Sequence, residues 1–373
     1  RGGAAAASSA AGSGAYAGPG GAAGVQGRHL VAPAPMPGAM VRNSSADSSP
    51  TSPSPRDGAA PRRAVGAASP WDPASFLDRL ARAKATGVPD AVKVVRKEVA
   101  EHNYDIRHRW QVPRTTYVSA ESCLKGVTPR FYGEEPVISF SEATTADAVQ
   151  MLALGPTKPR VCALNFANGV RVGGGYKNGA LAQEEDLCRR MPALFTSLFN
   201  ARRDGYYPFG PSTCSSPSRP EKYSDVLWTP GVAVARAGEA EGFALLPPEQ
   251  QASVSLVAAA APNINFARPK DIKDPGLMYN TVKTIFLSPR MLEPDLSVLV
   301  LGAWGCGAFG GDPREVSELF CKALAKDGLG RLYREVHFAI PKFGPEDFIA
   351  DIFREALRRH GIAFRELSTA RRA

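Results

Sequence analysis

The rhythm of apolar and polar positions changes twice along the 373 residues. No apolar period is legible at the start, where fifty of the first 70 residues are Ala, Gly, Ser or Pro. Such a stretch buries too little surface to offset its chain entropy, so residues 1–68 are expected to be disordered. A helical period then sets in over residues 69–113. Asp72 is a good N-cap, Pro73 suits the first helical position and Gly87 is a stop, which predicts a first helix. A second is predicted from about Asp90 to Glu101, with Val92, Val94, Val95 and Val99 as its apolar positions. Beyond Pro113 strands alternate with helices, the pattern of α/β layers, and one such domain is predicted over 114–368. Strands are predicted at Pro136–Phe140, Val161–Ala167, Ser253–Ala260, Ser297–Leu301 and Glu335–Ile340. Helices are predicted at Thr145–Leu154, Gln183–Asn200, Pro275–Phe286, Pro313–Ala325 and Pro345–Arg358. Val161–Ala167 (VCALNFA) is apolar on both faces, as a central buried strand should be.

Composition narrows the class only in part. The apolar fraction of 44% is that of a protein with an ordinary buried core, and no run of 18 apolar residues crosses a membrane. The net charge of +9 favours a polyanionic partner without naming it, and the first 66 residues carry six arginines against Asp47 and Asp57. Six cysteines stand far apart with no CxxC, which reads as reduced thiols in the nucleus or cytoplasm, and no histidine lies at a zinc-ligand spacing from any of them. The chain begins at Arg1, so a preceding segment is expected; the Ser-, Ala- and Arg-rich, acid-poor start suits an organelle transit peptide or a biased linker equally.

Two glycine loops carry the chemistry. The first follows the central strand: Asn168-Gly169-Val170-Arg171-Val172-Gly173-Gly174-Gly175, then seven residues, then Gln183-Glu184-Glu185 opening a helix. Three glycines let a backbone press against a ligand and aim N–H groups at phosphate oxygens. Two carboxylates in a first helical turn suit the helix dipole, which also lowers their pKa, so an acid catalyst there needs burial. Singly, each feature is more often a plain turn or cap. With glycine at roughly 10% and Gln or Glu at roughly 5%, the joint pattern arises by chance about once in 10⁴ chains of this length. The second loop, Gly302 to Asp312, joins a strand to a helix, and its Gly305, Gly307 and Gly310 spell GxGxxG. A dinucleotide-binding Rossmann domain is rejected: only 69 residues remain from Gly305 to the end, and no acidic residue closes the next strand. A glycine loop at a helix N-terminus remains a pyrophosphate site in any fold.

On these motifs, the sequence resembles the poly(ADP-ribose) glycohydrolases of microbial type. Gly173–Glu185 matches their GGG-(six to eight residues)-QEE signature, and FANGVRVGGG and LGAWGCGAFGG resemble their two ligand loops. The likeness runs from about Thr115 to Ile340. It implies a three-layer α/β/α macrodomain with a mixed, largely parallel sheet, behind a helical lead-in and a disordered tail. It also implies hydrolysis of ribose–ribose O-glycosidic bonds, with ADP-ribose lying between Gly173–Gly175 and Gly305–Gly310. Glu185 would be the general acid and base, Glu184 and Asn168 would hold ribose hydroxyls, and Phe309, Gly307 and Ala308 would flank the ligand. Gln183 would order the loop. Neither metal nor redox cofactor is implied; the expected partners are poly(ADP-ribose), ADP-ribose and ADP-ribosylated proteins, with a monomer acting away from membranes and no direct nucleic-acid binding implied. Two departures are visible: Gly311 replaces the usual Asn, and Asp204–Glu221 looks like an insertion beside the site.

Rival readings are a macrodomain that binds ADP-ribose without cutting it, a hydrolase of mono-ADP-ribose or O-acetyl-ADP-ribose, and a basic nucleic-acid-binding protein. The paired Glu184-Glu185 argues against the first, and no aromatic-basic motif supports the last. Cys162, Cys188 and Cys306 are read as filler, His337 as core packing, and Trp228 and Trp304 as walls of the site.

Overall fold

The computed structural model describes residues 70–126, 129–213, 222–265 and 271–368. The expected disordered tail and part of the expected insertion, from Cys214 to Glu221, lie outside the described residues.

The chain opens with α1 (Pro73–Ala85), whose N-cap Asp72 accepts hydrogen bonds from the Ala74 and Ser75 amides, and α2 (Pro89–Ile106). The α2 stripe is Val92, Val95 and Val99, at helical spacing; Val94 falls off it and is exposed. There follow β1 (Thr116–Val118), α3 (Ala120–Lys125), β2 (Val137–Ser141), α4 (Thr145–Ala153) and β3 (Val161–Ala167). The single helix expected over Gln183–Asn200 is two, α5 (Gln183–Arg190) and α6 (Leu194–Arg203). Pro192 is the cause: it has no N–H for the ladder and pushes Met191 out of the helical region, to φ −120° and ψ 85°. The remainder is β4 (Val226–Val234), β5 (Ala252–Ala260), α7 (Pro275–Leu292), β6 (Val298–Leu301), α8 (Pro313–Ala325), β7 (Glu335–Ala339), α9 (Ile349–Arg359) and β8 (Arg365–Glu366). Helix α7 runs past its expected end and through Pro289, while α9 begins at Ile349 rather than Pro345.

The eight strands form one sheet in the order β1-β4-β5-β3-β6-β7-β2-β8, parallel from β5 to β8 and antiparallel at β4 and β1. Strand β4 escapes a sequence reading because Pro230-Gly231 interrupts it; the register shifts between Thr229 and Val232, and a bulge accommodates the proline. One face of the sheet packs on α3, α7, α8 and α9, the other on α4, α5 and α6. This is the expected three-layer, largely parallel arrangement. His337, fully buried on β7, is bonded at both ring nitrogens by Ser139 and Ser141 of β2, each at 2.8 Å, and burial holds its pKa down at about 4, so it packs as neutral core.

Because β3, β5, β6 and β7 are parallel, the loops after them leave the same edge of the sheet, where ligands of open α/β folds bind. Beneath that edge Phe338 meets Phe140, Phe320 and Phe353 with ring centroids 6.0–6.4 Å apart. Phe338→Ala is expected to cost about 3–5 kcal/mol of unfolding free energy, since a buried ring leaves a cavity its neighbours refill only in part. Urea unfolding monitored by circular dichroism measures it; a loss below about 1 kcal/mol would contradict this account of the core.

Candidate active site

The site grows from one polar residue in an apolar strand. Asn165 stands fully buried in β3, with its Nδ2 3.4 Å from Glu184 Oε1. Its Oδ1 has no partner among the described residues. Helix α5 lies against this strand with Gln183, Glu184 and Glu185 in its first turn. Gln183 is a bracket: its Oε1 accepts the Phe166 amide at 2.9 Å, while its Nε2 donates to Leu164 O at 2.7 Å and Thr145 Oγ1 at 3.0 Å. It therefore pins α5 to β3 and to the start of α4.

Glu184 is buried. Its Oε2 accepts the Asn168 amide at 2.9 Å, closing the β3 exit over the carboxylate. Burial is the largest influence on its pKa, pushing it up to about 8; the Glu185 charge pushes the same way, while the bonds from the Asn168 amide and Asn165 pull back. At Glu184 the helix dipole, expected to hold the acid low, is overridden by desolvation. The Asn168 side chain serves its own turn, Oδ1 accepting the Val170 and Arg171 amides at 3.0 and 2.8 Å.

Glu185, also buried, reaches across to the triple-glycine loop, where its Oε1 accepts the Gly175 amide at 2.7 Å. Gly174 has φ +55°, and a Cβ there would overlap the Glu185 carboxylate. The amides of this loop thus differ from expectation. Gly174 N donates to Arg171 O at 3.0 Å and Gly175 N to Glu185, so two of the three glycine amides serve the protein rather than an anion. The glycines are needed for the approach of the carboxylate.

Open amides are found on the second loop, between β6 and α8. Gly310 N closes on Gly307 O at 3.0 Å and Gly311 N on Gly305 O at 2.9 Å, so the backbone seals the loop where the usual Asn is replaced. The amides of Gly307, Ala308 and Phe309 have no partner among the described residues, and Gly307 and Ala308 are exposed. Phe309 is half-buried, and its carbonyl accepts the Ile264 amide at 3.0 Å. Such a row of free N–H groups ahead of a helix is an anion cradle. Trp304, expected as a wall, is fully buried instead: its Nε1 donates to Ala259 O of β5 at 3.0 Å and anchors the loop from beneath. Trp228 is likewise buried in β4, as core. Cys162 and Cys188 are buried filler, and burial pushes the half-buried Cys306 thiol up to about 12, leaving it unreactive.

Other residues at the site escaped the sequence reading. Tyr207 has a buried hydroxyl without a partner among the described residues; burial and, after it, the Glu184 carboxylate raise its pKa. Phe343 and Phe348, 79% and 58% exposed, stand in the loop after β7 at the same edge of the sheet. Only Asn165 carried a usable signal, a lone amide in an apolar strand, which must find a partner when buried.

The Glu184 pKa implies a measurable slope. A carboxyl raised from 4.5 to about 8 on folding binds more protons folded than unfolded between those values, so it costs stability progressively as pH rises through that window. Glu184→Gln is expected to flatten the fall in Tm between pH 5 and 8, and to leave the protein more stable than wild type at pH 8. Parallel pH dependences for the two proteins in differential scanning calorimetry would show that Glu184 titrates normally.

Residues 96–237 match the family described as microbial-type PARG, catalytic domain. No curated protein sequence matches the chain. Among solved structures, it is similar to the poly(ADP-ribose) glycohydrolase of Thermomonospora curvata at 26% identity and TM-score 0.58, covering 70% of this chain and 98% of that one. The same enzyme bound to the inhibitor ADP-HPD gives 26% and 0.54 over the same shares. The poly(ADP-ribose) glycohydrolase of Deinococcus radiodurans in complex with ADP-ribose gives 27% and 0.54, over 66% of this chain and 94% of that one. The family match lies across the triple-glycine loop and the Gln183–Glu185 turn, and the chain is similar in fold to these poly(ADP-ribose) glycohydrolases.

Proposed function

We propose that the protein is a poly(ADP-ribose) glycohydrolase that hydrolyses ribose–ribose bonds and releases ADP-ribose. The observation that carries this is the carboxyl pair of Glu184 and Glu185, set against the triple-glycine loop at the edge where the β6–α8 amides stand open. A pyrophosphate placed on the amides of Gly307, Ala308 and Phe309 brings the terminal ribose toward the first turn of α5. Phe309 flanks it, and Asn168 Nδ2 faces its hydroxyls. Exposed Phe343 and Phe348 suit the adenine, as rings that stack on a base.

The chemistry divides between the two acids. Breaking a glycosidic bond requires a proton on the departing oxygen and a base for the incoming water, and Glu185 serves both in turn. Usual glycosidases separate these tasks onto two carboxylates. Glu184 is held by the β3 exit and is largely protonated near neutral pH, so it acts as a hydrogen-bond donor and acceptor to a ribose hydroxyl and adds little repulsion against Glu185. Likeness to enzymes solved with ADP-ribose and with an inhibitor supports the ligand class. ADP-ribosylated proteins as the source of the polymer, a monomeric state and a reducing compartment belong to the same reading.

The test is release of free ADP-ribose from defined poly(ADP-ribose), with mono-ADP-ribosylated protein as comparison. Release from the polymer supports the proposal; release only from the mono-modified protein identifies a different hydrolase, and binding without release a reader. Glu185→Gln is expected to lower kcat by about 10²–10⁴-fold, since an amide supplies no proton. Its ADP-ribose Kd should change by about tenfold or less, as shape and part of the hydrogen bonding persist. A Glu185→Gln variant that keeps most of its turnover removes Glu185 from the acid–base role.

A further inference from the structure

The two halves of the site belong to one motif in sequence, yet their spacing is held from outside it. Helix α5 ends at Arg190 because Pro192 has no N–H to offer the Cys188 carbonyl, and the broken helix leaves the Arg189 carbonyl unpaired as well. Both are satisfied from α2. Asn103, 1% exposed, directs its Nδ2 at Cys188 O (3.3 Å) and Arg189 O (2.8 Å). The same Nδ2 lies 3.1 Å from the hydroxyl of Tyr176, the residue directly after the triple glycine. Asn103 Oδ1 in turn accepts Arg236 Nε at 2.7 Å, and Arg236 is fully buried with its Nη1 on Phe243 O at 2.7 Å. The α2 backbone presses on the same loop: Gly179, at φ +73°, lies so close to the Lys93 carbonyl that a Cβ would overlap it.

We propose that Asn103 is a positioning residue for the reaction, setting the spacing between the helix that carries Glu185 and the loop whose amide Glu185 holds. The inference rests on the proposed glycohydrolase reading. One side chain touches the far end of α5 and the residue beside Gly175, so it acts on both partners of the Glu185–Gly175 bond. Releasing it lets α5 shift relative to the loop, and a displacement of about 1 Å at a proton donor costs on the order of a hundredfold in rate. The β6–α8 amides proposed to hold the pyrophosphate are not touched by this network, so most of the ground-state binding of ADP-ribose is kept.

Asn103→Asp separates this from a purely structural role. It keeps the oxygen that accepts from Arg236, but turns a carboxylate oxygen toward the carbonyls of Cys188 and Arg189, which it repels. In the full chain, kcat on poly(ADP-ribose) is expected to fall by about tenfold or more, with ADP-ribose Kd within about threefold of wild type. Tyr176→Phe, which removes one hydroxyl and keeps the ring, is expected to lower kcat by about threefold with Kd unchanged. A folded Asn103→Asp protein with wild-type kcat, or one whose entire loss lies in Kd, overturns the inference. If Asn103→Asp does not fold, Tyr176→Phe decides, and unchanged kcat there overturns it. Failure of the wild-type chain to release ADP-ribose fails the glycohydrolase reading instead, since the comparison needs a turning-over wild type.

Discussion

Glu185 Oε1 sits 2.7 Å from the Gly175 amide, and much of the site is arranged to permit that bond. A carboxylate can approach a backbone this closely only where no side chain stands between, and Gly174 supplies both the missing Cβ and the left-handed turn. The approach in turn requires α5 to lie flat against β3, which the Gln183 bracket enforces through three hydrogen bonds to Phe166, Leu164 and Thr145. Each contact narrows where the carboxyl pair can be, so the site is rigid before any ligand arrives.

Rigidity comes at the expense of charge. Two carboxyls in one buried helical turn are repulsive and poorly solvated, and ordinary surface acids at these positions would drive the turn apart. The structure answers asymmetrically. Glu184 takes the deeper place under the Asn168 amide and gives up much of its charge, while Glu185 accepts a hydrogen bond from the Gly175 amide.

The two glycine loops solve different problems with the same residue. In the first, glycine makes room for a carboxylate, and the amides are consumed inside the protein. In the second, glycine leaves amides uncovered above a tryptophan anchor, so an anion finds donors already oriented. The parallel order of β3 and β6 puts both loops at one edge.

Sequence alone determined the layered α/β class, the exact limits of Val161–Ala167 and Pro313–Ala325, and both glycine loops, because each is written in contiguous residues whose period or composition has one physical meaning. It also contained Pro192 and the bulge-forming Pro230-Gly231, although their effects show only against neighbouring elements. Tertiary structure decided the rest. That Glu184 is held near neutrality depends on burial, that the triple-glycine amides turn inward depends on where Glu185 lands, and that Trp304 anchors rather than lines the site depends on β5 lying beneath it. Asn103 is the clearest instance. It stands 85 residues before Cys188 in an ordinary amphipathic helix, and nothing in its local pattern separates it from a solvated amide. Its role exists only because packing brings it to carbonyls that a distant proline left unpaired, and no periodicity encodes a contact between residues so far apart in the chain.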